Sequence, residues 1–168
     1  VPTLHRCGTS DEPGDSLPVY EYDGPIGPAA LFADGVASGD PLSDSVILWT
    51  RVSPVSDQAS EIDVFVEVAS DPSFENRLSA QTYQAQANRD YCLKVDAVGL
   101  EPATTYYYRF SSLGRTSPIG RTRTAPKGPT EHLRFAVCAC SNYAYGYFHA
   151  YGHLAERTDI DAVLHLGD

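Results

Sequence analysis

The sequence predicts a mainly β chain: a two-sheet sandwich followed by a single strand–helix–strand unit. Three observations predict it. Ile62, Val64, Val66 and Val68 alternate with Asp63, Phe65 and Glu67, the period of a strand with one buried face. Short β-rich runs recur from about residue 31 to residue 125 with turn residues between them, and no helical periodicity competes. After a break rich in proline and glycine, the pattern changes to two apolar runs flanking an amphipathic stretch.

Residues 1–30 hold five prolines, four glycines, five acidic residues and one arginine, too little apolar surface for a core. They read as an extended arm, docked through Val19, Tyr20, Tyr22 and Ile26. Residues 31–125 read as the sandwich. Its densest β run is Val46 to Val52, with Trp49 as a large core aromatic, and further runs lie near 80–86, 91–97, 105–110 and 119–124. Within it, LEPATTYYYR (residues 100–109) resembles the corner of fibronectin type III domains. There Pro102 and Thr104 shape the crossing between sheets, and Tyr106 buries its ring while its hydroxyl finds a backbone partner. The expected fold is therefore a fibronectin III/immunoglobulin-like β-sandwich.

Residues 126–132 read as a linker. Beyond it, Leu133 to Cys138 is an apolar strand and about 144–156 a helix with Tyr147, Tyr151, Leu154 and Ala155 facing inward. Asp161 to Leu166 is a second apolar strand, ended by Gly167-Asp168. Such a βαβ unit makes the two strands parallel neighbours. A lone unit leaves its sheet edges open and its apolar faces uncovered, so residues 133–168 are expected to be the start of a domain completed by other chain.

An apolar fraction of 42% suffices for a core, and no run is long enough to span a membrane. A net charge of −10 argues against nucleic-acid binding. The chain has no methionine, from which a processed terminus with any export signal already removed is expected. Four cysteines permit three pairings. Cys138 and Cys140 stand two apart, roughly 6–7 Å between Cα atoms on a strand, and do not suit a mutual bridge. One bridge at most is expected, with Cys7–Cys92 the first assignment.

In parallel sheets, ligands gather beyond the carboxyl ends of the strands. Cys140 lies just past the first strand of the unit and Asp168 just past the second. If the strands are neighbours, a thiolate and a carboxylate emerge about 5 Å apart and can share an ion or bracket two. Gly167 lets the backbone turn closely beneath a cation. Gly14-Asp15 and Gly39-Asp40 read as ordinary turns, because neither follows a buried strand.

LRFAVCACSNYAYGYFHAYGHLAE (residues 133–156) and AVLHLGD (residues 162–168) resemble segments of the PhoD-like alkaline phosphatases, a family that includes secreted phospholipases D of the same type. FADGVASGDP (residues 32–41) and VILWTR (residues 46–51) resemble the opening of its amino-terminal sandwich. The resemblance implies a calcineurin-like metallophosphoesterase holding a ferric ion and calcium ions, secreted from a bacterium by the twin-arginine route. It implies that Cys140 ligates iron and Asp168 bridges metals, with no catalytic residue in this chain separate from the metal ligands. Attack on phosphorus by a metal-bound hydroxide is the expected reaction, on a phosphomonoester, phosphodiester or phospholipid. The remaining ligands are expected from the rest of the same enzyme, on a separate chain. Ser141 departs from the family's usual glutamine, and Cys138 is additional.

Other polar residues read more plainly. Cys138 is expected to face the core, and His165 to be a satisfied core histidine. His149 and His153 share a helical face but lack an intervening acid, which favours surface or packing roles over a zinc pair. Tyr143 lies close enough to the first strand's end to line a substrate entrance. The competing functional class is a non-catalytic, fibronectin-like binding or adhesion module, which would not need the βαβ segment.

Overall fold

In a computed structural model, residues 1–5, 16–53, 59–142 and 144–168 are described. They form two compact units, Val1–Lys127 and Gly128–Asp168. The first contains β1 (Thr3–His5), β2 (Val36–Gly39), β3 (Ser45–Arg51), β4 (Glu61–Ala69), β5 (Arg77–Gln86), β6 (Cys92–Val98), β7 (Thr105–Ser112), β8 (Arg115–Thr116) and β9 (Gly120–Arg123). The second contains β10 (Phe135–Cys138), an α-helix α1 (His149–Glu156) and β11 (Ala162–His165). The chain is mainly β, as the alternation predicts.

One sheet of the sandwich runs β1-β6-β3-β2, and the other β5-β4-β7-β8 with β9 also on β7. Alternation decides which side chains meet between the sheets. Val46, Leu48 and Thr50 from β3 join Leu93, Val95 and Ala97 from β6, facing Val64, Val66 and Val68 from β4 and Tyr106, Tyr108 and Phe110 from β7. Trp49 points to the other face of β3 and is only half-buried, so it is not the core aromatic expected of it. Its neighbours in sequence, Leu48 and Thr50, take the inward positions because the strand's period is two.

The crossing at residues 100–105 is built as the motif predicts. Tyr106 is buried, and its hydroxyl accepts a hydrogen bond from the Glu101 N–H at 2.8 Å. Ala103 takes a positive φ of 51°, and the Thr104 hydroxyl donates to the Pro102 carbonyl at 2.9 Å. Thr124 Oγ1 closes the corner from the far side, donating to Glu101 O and accepting from Thr104 N–H.

The arm departs from its expected form twice. Thr3–His5 is a true strand, parallel to β6, which buries Leu4; the Tyr83 hydroxyl donates to Thr3 O at 2.9 Å. Further along, Tyr20 stacks on Phe65 at 5.8 Å and its hydroxyl accepts from Gly114 N–H. Arg77 donates to the carbonyls of Leu17 and Pro18, and Arg115 to that of Gly27. Val19 and Ile26 are 67% and 69% exposed and do not dock.

Backbone carbonyls and the rings of Tyr20 and Tyr22, the latter against Gly114, thus hold the arm, more than an apolar stripe does. On the outer face of β4, Tyr20 of the arm covers Phe65, and Arg77, itself bonded to the arm, meets Glu67; both residues are buried along with the inner ones. Glu67 there meets Arg77 at 3.2 Å and Arg109 at 2.6 Å, while the Arg109 guanidinium lies 4.1 Å from the centre of the Phe74 ring.

Two outcomes follow for the sandwich. Tyr106→Phe keeps the ring but removes the acceptor for the Glu101 N–H, and should cost about 0.5–1.5 kcal/mol in urea unfolding. Asp71, in the β4–β5 turn, accepts from Ser73 Oγ and from the N–H groups of Ser73, Glu75 and Asn76, which holds its carboxyl at about 2 against an ordinary 3.8. Its stabilisation is therefore complete above pH 3.8 and lost as pH falls towards about 2. Asp71→Asn should flatten that part of the acid-unfolding curve.

Candidate functional site

The second unit places the strand ends as a βαβ crossover requires. β10 and β11 pair directly and in parallel, Phe135 with Ala162 through Cys138 with His165. At their entry, Arg134 sets the register. Its backbone N–H donates to Asp161 Oδ2 at 2.8 Å, its carbonyl accepts from Asp161 N–H, and its guanidinium meets Asp159. Arg157 also binds Asp159 through Nε and a terminal nitrogen, and together the two arginines hold that carboxyl at about 2. Asp159 therefore stays ionised throughout the neutral and alkaline range.

At the exit, pairing continues beyond the strands. Leu166 N–H donates to Cys138 O at 2.8 Å, Cys140 N–H to Gly167 O at 2.9 Å, and Ser141 N–H to Asp168 O. Cys140 and Asp168, the two expected ligands, are thus brought to the same edge on turns bonded to each other. Three residues there adopt left-handed backbone: Cys140 at φ 58°, Gly167 at 90° and Asp168 at 63°. Glycine does so freely, whereas the other two cost about 1–2 kcal/mol each. Such strain persists where surrounding bonds over-determine the turn.

The Cys140 thiol is exposed and in no disulfide, and the Asp168 side chain is exposed and in no ion pair among the described residues. A thiolate suits a transition-metal ion and an uncommitted carboxylate suits a hard or bridged cation, so these donors fit an iron and calcium site in chemistry. They do not complete one. No group of three or more potential ligands occurs among the described residues. Beside Cys140 and Ser141 lies a cleft of about 660 Å³, walled also by Tyr145, Tyr147, Tyr151 and Arg157.

The other expected residues fall as follows. Tyr143 and Cys7 lie outside the described residues. Cys92 is a half-buried thiol with no bridge to a described cysteine. Cys138 is half-buried opposite His165. His165 is not a core residue: it is exposed, yet both ring nitrogens are bonded, Nδ1 accepting from Gly167 N–H at 3.0 Å and Nε2 meeting the Tyr151 hydroxyl at 2.8 Å. His149 packs beside Tyr147, and His153 lies 3.9 Å from Glu156 on an exposed face.

The helix is shorter than expected. Asn142 Oδ1 accepts from Ala144 N–H, and Gly146 has φ 96°, so the chain turns before Phe148 and the helix begins at His149. Tyr147 is consequently 87% exposed and Ala155 is also exposed, leaving Tyr151 and Leu154 half-buried.

A bonded chain of Ser141, Tyr151 and His165 was not foreseen. The hydroxyls of Ser141 and Tyr151 are hydrogen-bonded, and Tyr151 stacks on His165 at 6.0 Å and 19°. The available signal was Tyr151 on the helix's inward positions, which identifies a packing residue but not its partner.

Comparison with known proteins matches the chain to a family. Residues 26–126 match the family described as PhoD-like phosphatase, N-terminal domain, and residues 135–168 match PhoD-like phosphatase. Over 146 residues, 82% of the chain, the sequence is 42% identical to alkaline phosphatase D of Bacillus subtilis (strain 168). The chain spans 24% of that protein's length. A solved structure described as that of PhoD superposes with a TM-score of 0.76 and 38% identity, covering 89% of this chain and 29% of that one.

In the metal-free chain, iodoacetamide should modify Cys140 ahead of half-buried Cys138, as read by peptide mass spectrometry. Equal or reversed labelling would contradict the exposure of the Cys140 turn.

Proposed function

Because the chain belongs to the PhoD-like phosphatase family, we propose that it is the amino-terminal part of a bacterial, secreted, metal-dependent phosphoester hydrolase. The observation that carries this reading is the parallel register that sets Cys140 and Asp168 on mutually bonded turns at one sheet edge. Cys140 would hold a ferric ion through its thiolate, and Asp168 would offer its carboxylate to the iron and calcium ions. When bound, such cations supply Lewis acidity towards phosphoryl oxygens and make water more acidic. This chain's own contribution is to fix the two ligands and to wall the cleft beside them.

The other ligands belong to the rest of the enzyme. Phe135, Val137 and Leu164 are 50%, 62% and 49% exposed on the sheet face away from Tyr151, and this apolar face is where the remaining catalytic domain packs. A preceding twin-arginine signal, removed on export, completes the proposal. No helix among the described residues is long and apolar enough to cross a membrane. A purely adhesive role would employ the sandwich and leave the strained turns at Cys140 and Asp168 without a purpose.

The test uses the full-length enzyme, assayed on a phosphomonoester, a phosphodiester and a phospholipid, with iron and calcium measured in parallel. Cys140→Ser and Asp168→Asn should each lower hydrolysis at least about 100-fold with loss of bound metal. Full activity in both variants, or in enzyme stripped by a chelator, would overturn the reading.

A further inference from the structure

We propose that Tyr151 and His165 are positioning residues that lock the two ligand-bearing turns to each other, an inference that rests on the metal-site reading of Cys140 and Asp168. The directions of the bonds carry it. Gly167 N–H can only donate, so His165 Nδ1 accepts and carries no proton. In the neutral ring the proton then sits on Nε2 and is donated to the Tyr151 hydroxyl oxygen, 2.8 Å away. The Tyr151 hydroxyl proton is left for Ser141 Oγ, with which it is bonded. Ser141 in turn donates its backbone N–H to the Asp168 carbonyl.

The chain therefore closes on itself: Gly167 to His165, to Tyr151, to Ser141, and back to Asp168. Ser141 directly follows one expected ligand, and Gly167 directly precedes the other. Among the described residues, both are otherwise held by the backbone bonds at the ladder's exit. Cys140 and Asp168 sit in left-handed backbone, which relaxes unless neighbouring bonds oppose it. The helix supplies that opposition through Tyr151, which bonds the Cys140 turn at Ser141 directly and the Gly167 turn through His165, on which its ring stacks. Outer bonds of this kind orient ligands, and their loss typically weakens metal binding about 10–100-fold.

The experiment is a Co²⁺ titration of the metal-depleted full-length enzyme, read by the cobalt–thiolate charge-transfer band and accompanied by thermal unfolding. Tyr151→Phe keeps the ring and removes only the hydroxyl. It should weaken Co²⁺ binding about 10–100-fold with little change in Tm. Ser141→Ala should give a loss of the same order. The double variant should lose no more than either single one, because both break the same chain. His165→Asn, which retains an acceptor for Gly167 N–H but cannot reach Tyr151, should recover part of the affinity that His165→Ala loses.

Wild-type enzyme with a normal cobalt–thiolate band and a Tyr151→Phe variant of unchanged affinity would overturn the positioning role alone. Additive losses in the double variant would do the same. Absence of the band from the wild type would overturn the metal-site reading, and the positioning role with it.

Discussion

The parallel ladder between β10 and β11 does not stop where the strands do. Its bonds run on through Leu166 to Cys138, Cys140 to Gly167 and Ser141 to Asp168, and every functional statement about this chain depends on that continuation. Two turns that left a sheet independently would bring their side chains together only by chance. Bonded to each other, they have one relative position. The ladder is anchored at its entry by Arg134 on Asp159 and Asp161, and at its exit by the serine–tyrosine–histidine chain. The left-handed backbone at Cys140 and Asp168 is tolerable because it is braced from both sides.

The sandwich is stabilised by different means. Its interior is an ordinary apolar layer, but its edges and outer face are closed by polar contacts. The tyrosine corner satisfies the Glu101 N–H, the Tyr83 hydroxyl secures β1, and Glu67 gathers two arginines under the arm. Buried ion pairs recover their desolvation cost only when well bonded. Here Arg77 is also committed to arm carbonyls, and Arg109 to the face of Phe74. The arm is thereby part of the fold although its composition cannot form a core.

Strands were legible because their signal is local. The alternation along β4 and the motif at residues 100–109 each determine structure within ten residues, and both appear as expected. What the sequence did not reveal depended on partners distant along the chain. The strand Thr3–His5 is defined by pairing with β6, some ninety residues away. Phe65 on the outer face of β4 is covered by Tyr20 of the arm, forty-five residues earlier. The inward face of β3 is set by which sheet it joins, so the size of Trp49 was a poor guide. At the site, the meeting of Cys140 and Asp168 at one sheet edge was legible from the strand ends, while the exposure of His165 was not. Its place in an apolar strand suggested burial, whereas its role is to bond a turn two residues ahead and a helix fourteen residues behind.

The most direct measurement is an iron-edge anomalous difference map from crystals of the full-length enzyme. A single strong peak within bonding distance of both the Cys140 sulfur and an Asp168 carboxylate oxygen is the predicted result. Iron bound elsewhere, with both side chains turned to solvent, would contradict it.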